Sequence, residues 1–143
     1  MDEHQKRLLI VDDDKIHRVI YSSIAHKMNY RVDLADSPAA AFAKLRAARY
    51  DSVILDLMLG EDSGTDVLVL MSSLPERPRV LLVTGASDKV IEETFDVGRQ
   101  LGLEMFGPVR KPVNVTLIRS VLRGMAVAAS DDEEPQQRAA IGV

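Results

Sequence analysis

The sequence contains no cysteine and no tryptophan, and only 4% of its residues are aromatic. The absence of cysteine excludes disulfides, thiolate metal sites and cysteine nucleophiles. Because 46% of the residues are hydrophobic, we expect a core built mainly from aliphatic side chains. No apolar run approaches the ~20 residues that cross a membrane, and residues 1–7 lack the apolar segment of a signal peptide. These absences predict a soluble, cytoplasmic protein with no membrane partner.

Runs of basic residues are missing as well. The net charge is −4, and residues 130–143 contribute four acids against one base, which leaves the rest of the chain nearly neutral. Since no segment rich in lysine or arginine is available to neutralise phosphates, we expect no direct binding of nucleic acid. The acidic, polar composition of residues 130–143 predicts a disordered tail or linker. The remaining length suits one domain, residues 1–129.

A regular alternation of strand and helix patterns fills this domain. Short, branched apolar runs predict strands near residues 8–11, 30–35, 53–56, 79–84 and 104–109. A helical pattern follows each run, and several helices have a capping residue before them: an aspartate among residues 12–14, Ser37, Ser87 or Asp88, and Asn114. Five strand–helix units in succession predict an α/β fold, a doubly wound five-stranded parallel sheet with helices on both faces.

Apolar residues at helical spacing predict which helix faces turn towards the sheet. The first helix carries such a stripe, and the last helix carries a longer one. The first stripe comprises Ile16, Val19, Ile20 and Ile24, and the last comprises Leu117, Ile118, Val121, Leu122 and Met125. We expect both stripes to be buried.

Polar residues stand at the ends of the predicted strands, although they are far apart in the sequence. They are Asp12, Asp13, Asp56, Thr84 and Lys111. Because the carboxyl ends of parallel strands share one edge of a sheet, we expect these side chains to meet. Crowded carboxylates favour a hard divalent cation such as Mg²⁺, while the ammonium and the hydroxyl can hold anionic oxygens. Such a pocket suits a phosphoryl group, with the Asp56 carboxylate as the nucleophile that forms an acyl phosphate.

Four ordered motifs resemble those of a known family. They are Leu9-Ile10-Val11-Asp12-Asp13, Ile54-Leu55-Asp56, Val83-Thr84-Gly85-Ala86 and Lys111-Pro112. In this order and at this spacing, they resemble the receiver domain of two-component response regulators, which has a chemotaxis-regulator-like fold. The resemblance covers roughly residues 7–126.

The resemblance implies a phosphoacceptor that signals through a change of conformation. Asp56 resembles the phosphorylated residue, Lys111 the lysine that binds the phosphoryl group, and Thr84 the hydroxyl that shifts onto it. The implied donor is a histidine kinase or a histidine phosphotransfer protein, and the downstream protein target is left open. We expect no enzyme activity beyond the domain's own phosphorylation and slow autodephosphorylation, and a monomer or weak homodimer. The Lys111–Pro112 bond resembles one that the family holds cis.

The resemblance also implies Mg²⁺ as the cofactor. Asp13 and Asp56 resemble its direct ligands, the backbone carbonyl of Met58 resembles a third, and Asp12 resembles a residue that acts through water. The Met58 side chain is apolar and cannot orient a hydrolytic water, so we expect the acyl phosphate to be long-lived.

One position departs from the family pattern. The family usually places an aromatic residue three positions before the lysine, where this sequence has Pro108. Phe106 lies two residues earlier and would share a strand face with Pro108 by the period-2 alternation of strands. Phe106 is therefore the candidate replacement for the missing aromatic.

Two other readings remain open on the residues alone. The first is a phosphatase of the haloacid-dehalogenase type, because Asp12 and Asp14 form an Asp-x-Asp pattern after a strand. Its later acid pair has no good counterpart here, since only Asp131-Asp132 follows the lysine. The second is an interaction module of pseudo-receiver type that works without phosphorylation. Such a module has no use for the repulsion among the acids, which argues against it.

Overall fold

The computed structural model describes residues 5–60 and 62–133, with their side chains except those of Asp62 and residues 128–133. Each predicted strand is present within one residue of its expected limits. The elements are β1 (Arg7–Val11), α1 (Lys15–Lys27), β2 (Arg31–Ala35), α2 (Pro38–Ala47), β3 (Ser52–Leu55), β4 (Met58–Leu59), β5 (Asp62–Ser63), α3 (Thr65–Ser72), β6 (Arg79–Thr84), α4 (Asp88–Gln100), β7 (Met105–Arg110) and α5 (Val115–Glu133).

Five of the strands form one parallel sheet in the order β2-β1-β3-β6-β7. Helices α1 and α5 cover one face of this sheet, and α2, α3 and α4 cover the other. The predicted doubly wound α/β fold is therefore confirmed. The strand order reverses between β1 and β3, which is the point where open α/β sheets hold their ligands.

The core consists of two apolar layers, one on each face of the sheet. Along β1, Leu8 and Ile10 pack with α1 and α5, whereas Leu9 and Val11 pack with the helices of the other face. All four side chains are fully buried. This two-sided burial explains why the central strands are continuous apolar runs rather than alternating ones. Each such side chain contributes about 1.5–3 kcal/mol to folding.

Four helices begin directly after residues that were predicted to cap them. The Asp14 carboxylate accepts hydrogen bonds from the backbone N–H groups of Ile16 (2.8 Å) and His17 (3.2 Å), so α1 begins directly after the acidic triplet. The side chains of Ser37, Ser87 and Asn114 likewise accept from the backbone N–H groups of Ala40, Val90 and Leu117. These bonds satisfy donors that the first helical turn leaves unpaired.

The predicted inward face of α1 is wrong in part. Ile16 and Val19 are 69% and 58% exposed, while Tyr21 and Ile24 are buried. Tyr21 carries more apolar surface than either exposed residue and sets which side of the helix faces the sheet. At 3.6 residues per turn, Ile16 and Val19 then lie on the opposite side of the helix. Leu117 in α5 is also 41% exposed, while the rest of its stripe is buried or half-buried.

The last helix, α5, ends at Glu133, beyond residue 129 where the domain was expected to end. The division into a domain and a tail stays a prediction. Ala126, Ala128 and Ala129 are strong helix formers and carry the helix onward. Residues 134–143 lie outside the described residues, so the disordered tail stays a prediction. Over the described part of the chain, no helix is both long and apolar enough to span a membrane.

Candidate functional site

The predicted site residues follow four neighbouring strands. Asp12 comes directly after β1, Asp56 after β3 and Lys111 after β7, and Thr84 is the last residue of β6. The backbone N–H of Asp56 donates to the carbonyl of Val11 (3.0 Å), which extends the pairing of β1 and β3 to the site. The backbone N–H of Lys111 donates to the carbonyl of Thr84 (3.1 Å), which does the same for β6 and β7. The sheet therefore brings the four positions to one edge.

Lys111 joins the two acids of this edge. Its Nζ atom lies 2.9 Å from Asp56 Oδ2 and 3.1 Å from Asp12 Oδ2. Asp12 is fully buried and Asp56 is 3% exposed, so both carboxylates depend on protein groups rather than water. Three residues separated by up to 99 positions thus form one charged cluster, as the sequence predicted.

Backbone turns orient the same two acids. The N–H of Asp14 donates to Asp12 Oδ1 (2.9 Å), and the N–H of Met58 donates to Asp56 Oδ1 (3.1 Å). In each case the donor lies two residues after the acid, as in an Asx-turn. Each carboxylate therefore has one oxygen held by the backbone and the other held by Lys111.

Burial and charge act in opposite directions on this cluster. Burial raises the pKa of Asp12 and outweighs its hydrogen bonds to the Asp14 N–H and to Lys111. Burial alone would lower the pKa of Lys111, but its hydrogen bonds and charge interactions with Asp56 and Asp12 outweigh burial and raise that pKa. The lysine therefore stays protonated, while the ionised form of Asp12 is disfavoured by the fold.

The acids are placed where a cation can be bound. Ligand oxygens of Asp12, Asp13 and Asp56 all lie within 4.8 Å of one another. Asp13 is exposed, and its Oδ2 atom lies next to Gly60, which has a positive φ of 65° at the turn after β4. Oxygen donors at this spacing fit the hard ligand set that Mg²⁺ and Ca²⁺ prefer. The Met58 carbonyl as a ligand stays a prediction.

A small hairpin that the sequence analysis did not anticipate lies beside the site. Strands β4 and β5 pair antiparallel between β3 and α3. A Cβ at Gly64 would lie only 2.7 Å from the Asp56 carbonyl, so the chain can return to this strand end only with glycine there. The Met58 side chain is 55% exposed next to Asp56.

Thr84 is in position but does not take part in the charged cluster. Its side chain is fully buried, and its hydroxyl oxygen accepts a hydrogen bond from the N–H of Ala86 (3.2 Å). The bond between Lys111 and Pro112 is cis, as the resemblance implied.

The structure does not support Phe106 as the replacement aromatic. The pairing of β6 with β7 shifts between Leu81 and Val83, because Gly107 and Pro108 together lie opposite one residue. Such a bulge resets the alternation of faces that the sequence argument assumed. Phe106 accordingly packs with the core layer of α1 and α5, whereas Pro108 lines a groove against α4. The aromatic in that groove is Phe95 of α4.

Two residues near Asp12 were not recognised from the sequence. Arg18 donates from its guanidinium to the Asp12 carbonyl (2.8 Å), and His17 Nδ1 lies 3.7 Å from Asp12 Oδ2. Their position in the first turns of α1, directly after the acidic triplet, is the sequence signal that could have identified them.

The haloacid-dehalogenase reading fails on the orientation of Asp14. Its carboxylate caps α1 through two backbone N–H groups and is 46% exposed. The Asp-x-Asp pattern therefore does not bring two carboxylates to the cluster around Lys111. Asp14 is a structural residue, as its position before a helix suggested.

Comparisons with known proteins agree with this geometry. The chain matches the family model of the response regulator receiver domain over residues 8–123. It is 38% identical over 85 residues to the alginate biosynthesis transcriptional regulatory protein AlgB of Pseudomonas aeruginosa, covering 59% of this chain and 19% of that protein. The chain thus spans about a fifth of the length of that relative.

Solved structures show the same fold. A receiver domain protein from Methanospirillum hungatei superposes with a TM-score of 0.75 at 24% identity, covering 92% of this chain and 98% of the other. A response regulator protein from Burkholderia pseudomallei, solved with a phosphorylated aspartic acid and a calcium ion, gives a TM-score of 0.69 at 24% identity over 92% of this chain and 75% of the other. The alternative readings find no support in these matches. The chain belongs to the response regulator receiver domain family and is a receiver domain of two-component signalling.

Proposed function

We propose that this domain accepts a phosphoryl group on Asp56 from a phosphohistidine of a histidine kinase or a histidine phosphotransfer protein. The bridge from Lys111 to both Asp56 and Asp12 carries this proposal. Burying the Asp56 carboxylate next to a second acid lowers the stability of the fold, even with the Lys111 ammonium at 2.9 Å. The same arrangement suits a reaction that develops negative charge on phosphoryl oxygens.

The transfer is an in-line displacement at phosphorus. An Asp56 carboxylate oxygen forms the new P–O bond, and the P–N bond to the donor imidazole breaks with its electron pair passing to the imidazole nitrogen. Lys111 is placed to hold a phosphoryl oxygen, and the Asp56 Oδ1 atom stays oriented by the Met58 N–H. The product is an aspartyl phosphate.

Asp13 and Asp56 would hold Mg²⁺, with Asp12 next to them. When bound, Mg²⁺ would neutralise charge on the phosphoryl oxygens and on the crowded acids. The Burkholderia neighbour with its phosphorylated aspartic acid and calcium ion supports an oxygen-ligand site of this kind. The cluster of acid oxygens within 4.8 Å of one another supports it from this chain.

The output follows from the hydroxyl of Thr84. Once a phosphoryl group is present, Thr84 can donate to one of its oxygens, and this shifts an existing equilibrium between two conformations. We place the changed surface around α4 and β7, where Pro108 and Phe95 line one groove. The downstream partner is left open, and a cytoplasmic location and a monomeric or weakly dimeric state belong to the same proposal.

The exposed side of α1 supports docking of a donor protein. Ile16 and Val19 form an apolar surface next to the acidic triplet, and a groove of about 330 Å³ runs from Val19 to Val115 of α5. Apolar side chains at the mouth of a charged site are suited to a transient protein contact.

Asp56→Asn tests the proposal directly. We expect the parent protein to gain one phosphoryl group in intact mass with acetyl phosphate and Mg²⁺, and Asp56→Asn to gain none. Asp66→Asn, which changes an exposed aspartate of α3, is the matched control. Labelling that survives in Asp56→Asn would contradict the assignment. Turnover of a generic phosphate ester would instead favour the phosphatase reading, and an unlabelled parent would favour a phosphorylation-independent module.

Met58→Asn tests the expected long life of the product. The amide can orient a water towards the phosphorus whereas the methionine side chain cannot, so we expect the lifetime of the labelled protein to fall roughly tenfold. The decay of the phosphorylated mass after removal of acetyl phosphate measures this. An unchanged decay would show that water reaches the acyl phosphate without help from this position.

A further inference from the structure

Two polar atoms of α1, one on His17 and one on Tyr21, are buried next to the site. Among the described residues, Nδ1 of His17 and the hydroxyl of Tyr21 make no hydrogen bond. The two rings are stacked, with their centroids 6.0 Å apart and their planes inclined by 17°. Buried polar atoms are nearly always paired, so an unpaired one in such a position needs an explanation.

His17 Nδ1 faces two carboxylates. It lies 3.7 Å from Asp12 Oδ2 and 3.6 Å from Asp14 Oδ2. Both separations exceed hydrogen-bond length, but a small rotation of the side chain would close either of them. Asp14 is 46% exposed and can accept hydrogen bonds from water, whereas Asp12 is fully buried. Asp12 is therefore the acid that needs a protein donor.

The Asp12 oxygen that faces His17 is the one that Lys111 already holds. Lys111 Nζ lies 3.1 Å from Asp12 Oδ2, and the other oxygen of Asp12 accepts from the Asp14 N–H. If Lys111 moves onto a phosphoryl group, Asp12 Oδ2 loses its lysine donor while staying buried. A buried carboxylate oxygen that has no protein donor opposes that movement.

We propose that His17 is a positioning residue whose Nδ1–H donates to Asp12 Oδ2 when Lys111 leaves that oxygen for the phosphoryl group. This inference rests on the proposed function, because it requires Lys111 to bind the phosphoryl oxygens. Tyr21 is fully buried, and its ring stacks on the imidazole of His17.

Beryllium fluoride, a stable mimic of an aspartyl phosphate, tests the exchange in the full chain. We expect its dissociation constant at saturating Mg²⁺ to rise roughly tenfold in His17→Leu, since a hydrogen bond to a buried charge is lost only in the bound state. His17→Asn, which keeps an N–H donor near the Nδ1 position, should recover most of the affinity. His26→Leu, which removes an exposed histidine of the same helix, should bind like the parent.

Nitrogen-15 spectra of the imidazole ring provide a readout that a merely structural role would not move. On addition of beryllium fluoride and Mg²⁺, His17 should show a proton on Nδ1 with the shift of a hydrogen bond to a carboxylate, while His26 should not change. A bound state with the proton on Nε2 only would overturn the inference.

Other results overturn it as well. Equal affinity in the parent and in His17→Leu would show that Asp12 needs no second donor. Weaker binding of Mg²⁺ alone in His17→Leu would assign His17 to the cation rather than to the exchange. If the parent and His17→Leu bind beryllium fluoride equally well, this inference fails while the proposed function stands. A parent that neither binds it nor becomes phosphorylated refutes the proposed function and the inference together.

Discussion

The two ends of the sheet carry charged clusters that differ in their balance of positive and negative charge. At the carboxyl end, one lysine serves two buried acids, Asp12 and Asp56. Towards the amino end, Arg7 pairs with Asp33 (3.2 Å), and Tyr50 donates its hydroxyl to the same acid (2.6 Å). The first cluster has more negative than positive charge, whereas the second is balanced.

The pKa shifts show what this difference does. The hydrogen bond from Tyr50 is the main cause that lowers the pKa of Asp33, although partial burial opposes it. Burial, followed by the bond to Asp33, raises the pKa of Tyr50 to about 12. The pKa of Asp12 moves the other way, because burial outweighs its partners. The fold therefore favours the ionised form of Asp33 and disfavours the ionised form of Asp12. A carboxyl group whose pKa is raised by burial beside other charges is typical of a functional site.

Lys111→Met should have the largest effect, and it acts on the reactive end alone. Removing the ammonium deprives the phosphoryl oxygens of their positive partner, so we expect phosphorylation by acetyl phosphate to slow by about 100-fold. The initial rate of mass gain measures it. Lys89→Met, which changes an exposed lysine of α4, should retain the parent rate. A rate for Lys111→Met within a few-fold of the parent would show that the bridge is structural.

Tyr50→Phe should affect only the balanced end. The variant removes the hydrogen bond to Asp33, so we expect the free energy of unfolding to fall by about 1 kcal/mol. This lies below the ~1.5–3 kcal/mol of a hydrogen bond to a buried charged group, because Asp33 is 31% exposed. Urea unfolding at neutral pH measures it, while the phosphorylation rate should not change. Tyr21→Phe, whose hydroxyl has no partner among the described residues, should not lose stability in the same way. Equal losses in both variants would contradict the proposed origin.

Asp12→Asn should have the smallest effect and the opposite sign. Because the folded pKa of Asp12 is raised, its ionisation destabilises the fold above that pKa, and this penalty disappears as the pH falls towards the ordinary value of 3.8. In metal-free buffer, we therefore expect Asp12→Asn to unfold at a higher temperature than the parent at neutral pH, with the difference shrinking in acid.

Asp33 provides the matched contrast in the same pH series. Its folded pKa is lowered, so its stabilising contribution is present above 3.8 and is lost as the pH falls through the folded value. The loss of unfolding free energy in Tyr50→Phe should therefore also become smaller in acid, but the variant should stay less stable than the parent. Parallel behaviour with the same sign for both variants would remove the distinction between the two ends.

Much of the site was readable from the sequence because each of its residues is tied to a strand end. Strands buried on both faces are continuous apolar runs, and the first polar residue after such a run marks the edge of the sheet. This placed Asp12, Asp56, Thr84 and Lys111 correctly. The role of each residue, and the binding of Mg²⁺, remain proposals that the experiments above test.

Features that depend on competition between neighbours were not readable in the same way. The bulge at Gly107 and Pro108 separated Phe106 from the groove at α4, because one extra residue in a strand reverses every later face. Ile16 and Val19 turned outwards because the larger Tyr21 took the buried side of α1. His17 came close to Asp12 as a consequence of that same rotation.

The sequence by itself determined the order of strands and helices, the helix caps and the set of polar residues at the strand ends, since these follow from local patterns along the chain. Only the tertiary structure decided that Lys111 bridges Asp12 and Asp56, which way α1 turns, and which residue approaches the buried acid from the side. Those outcomes depend on how side chains from distant segments share one limited volume, and no local pattern contains that information.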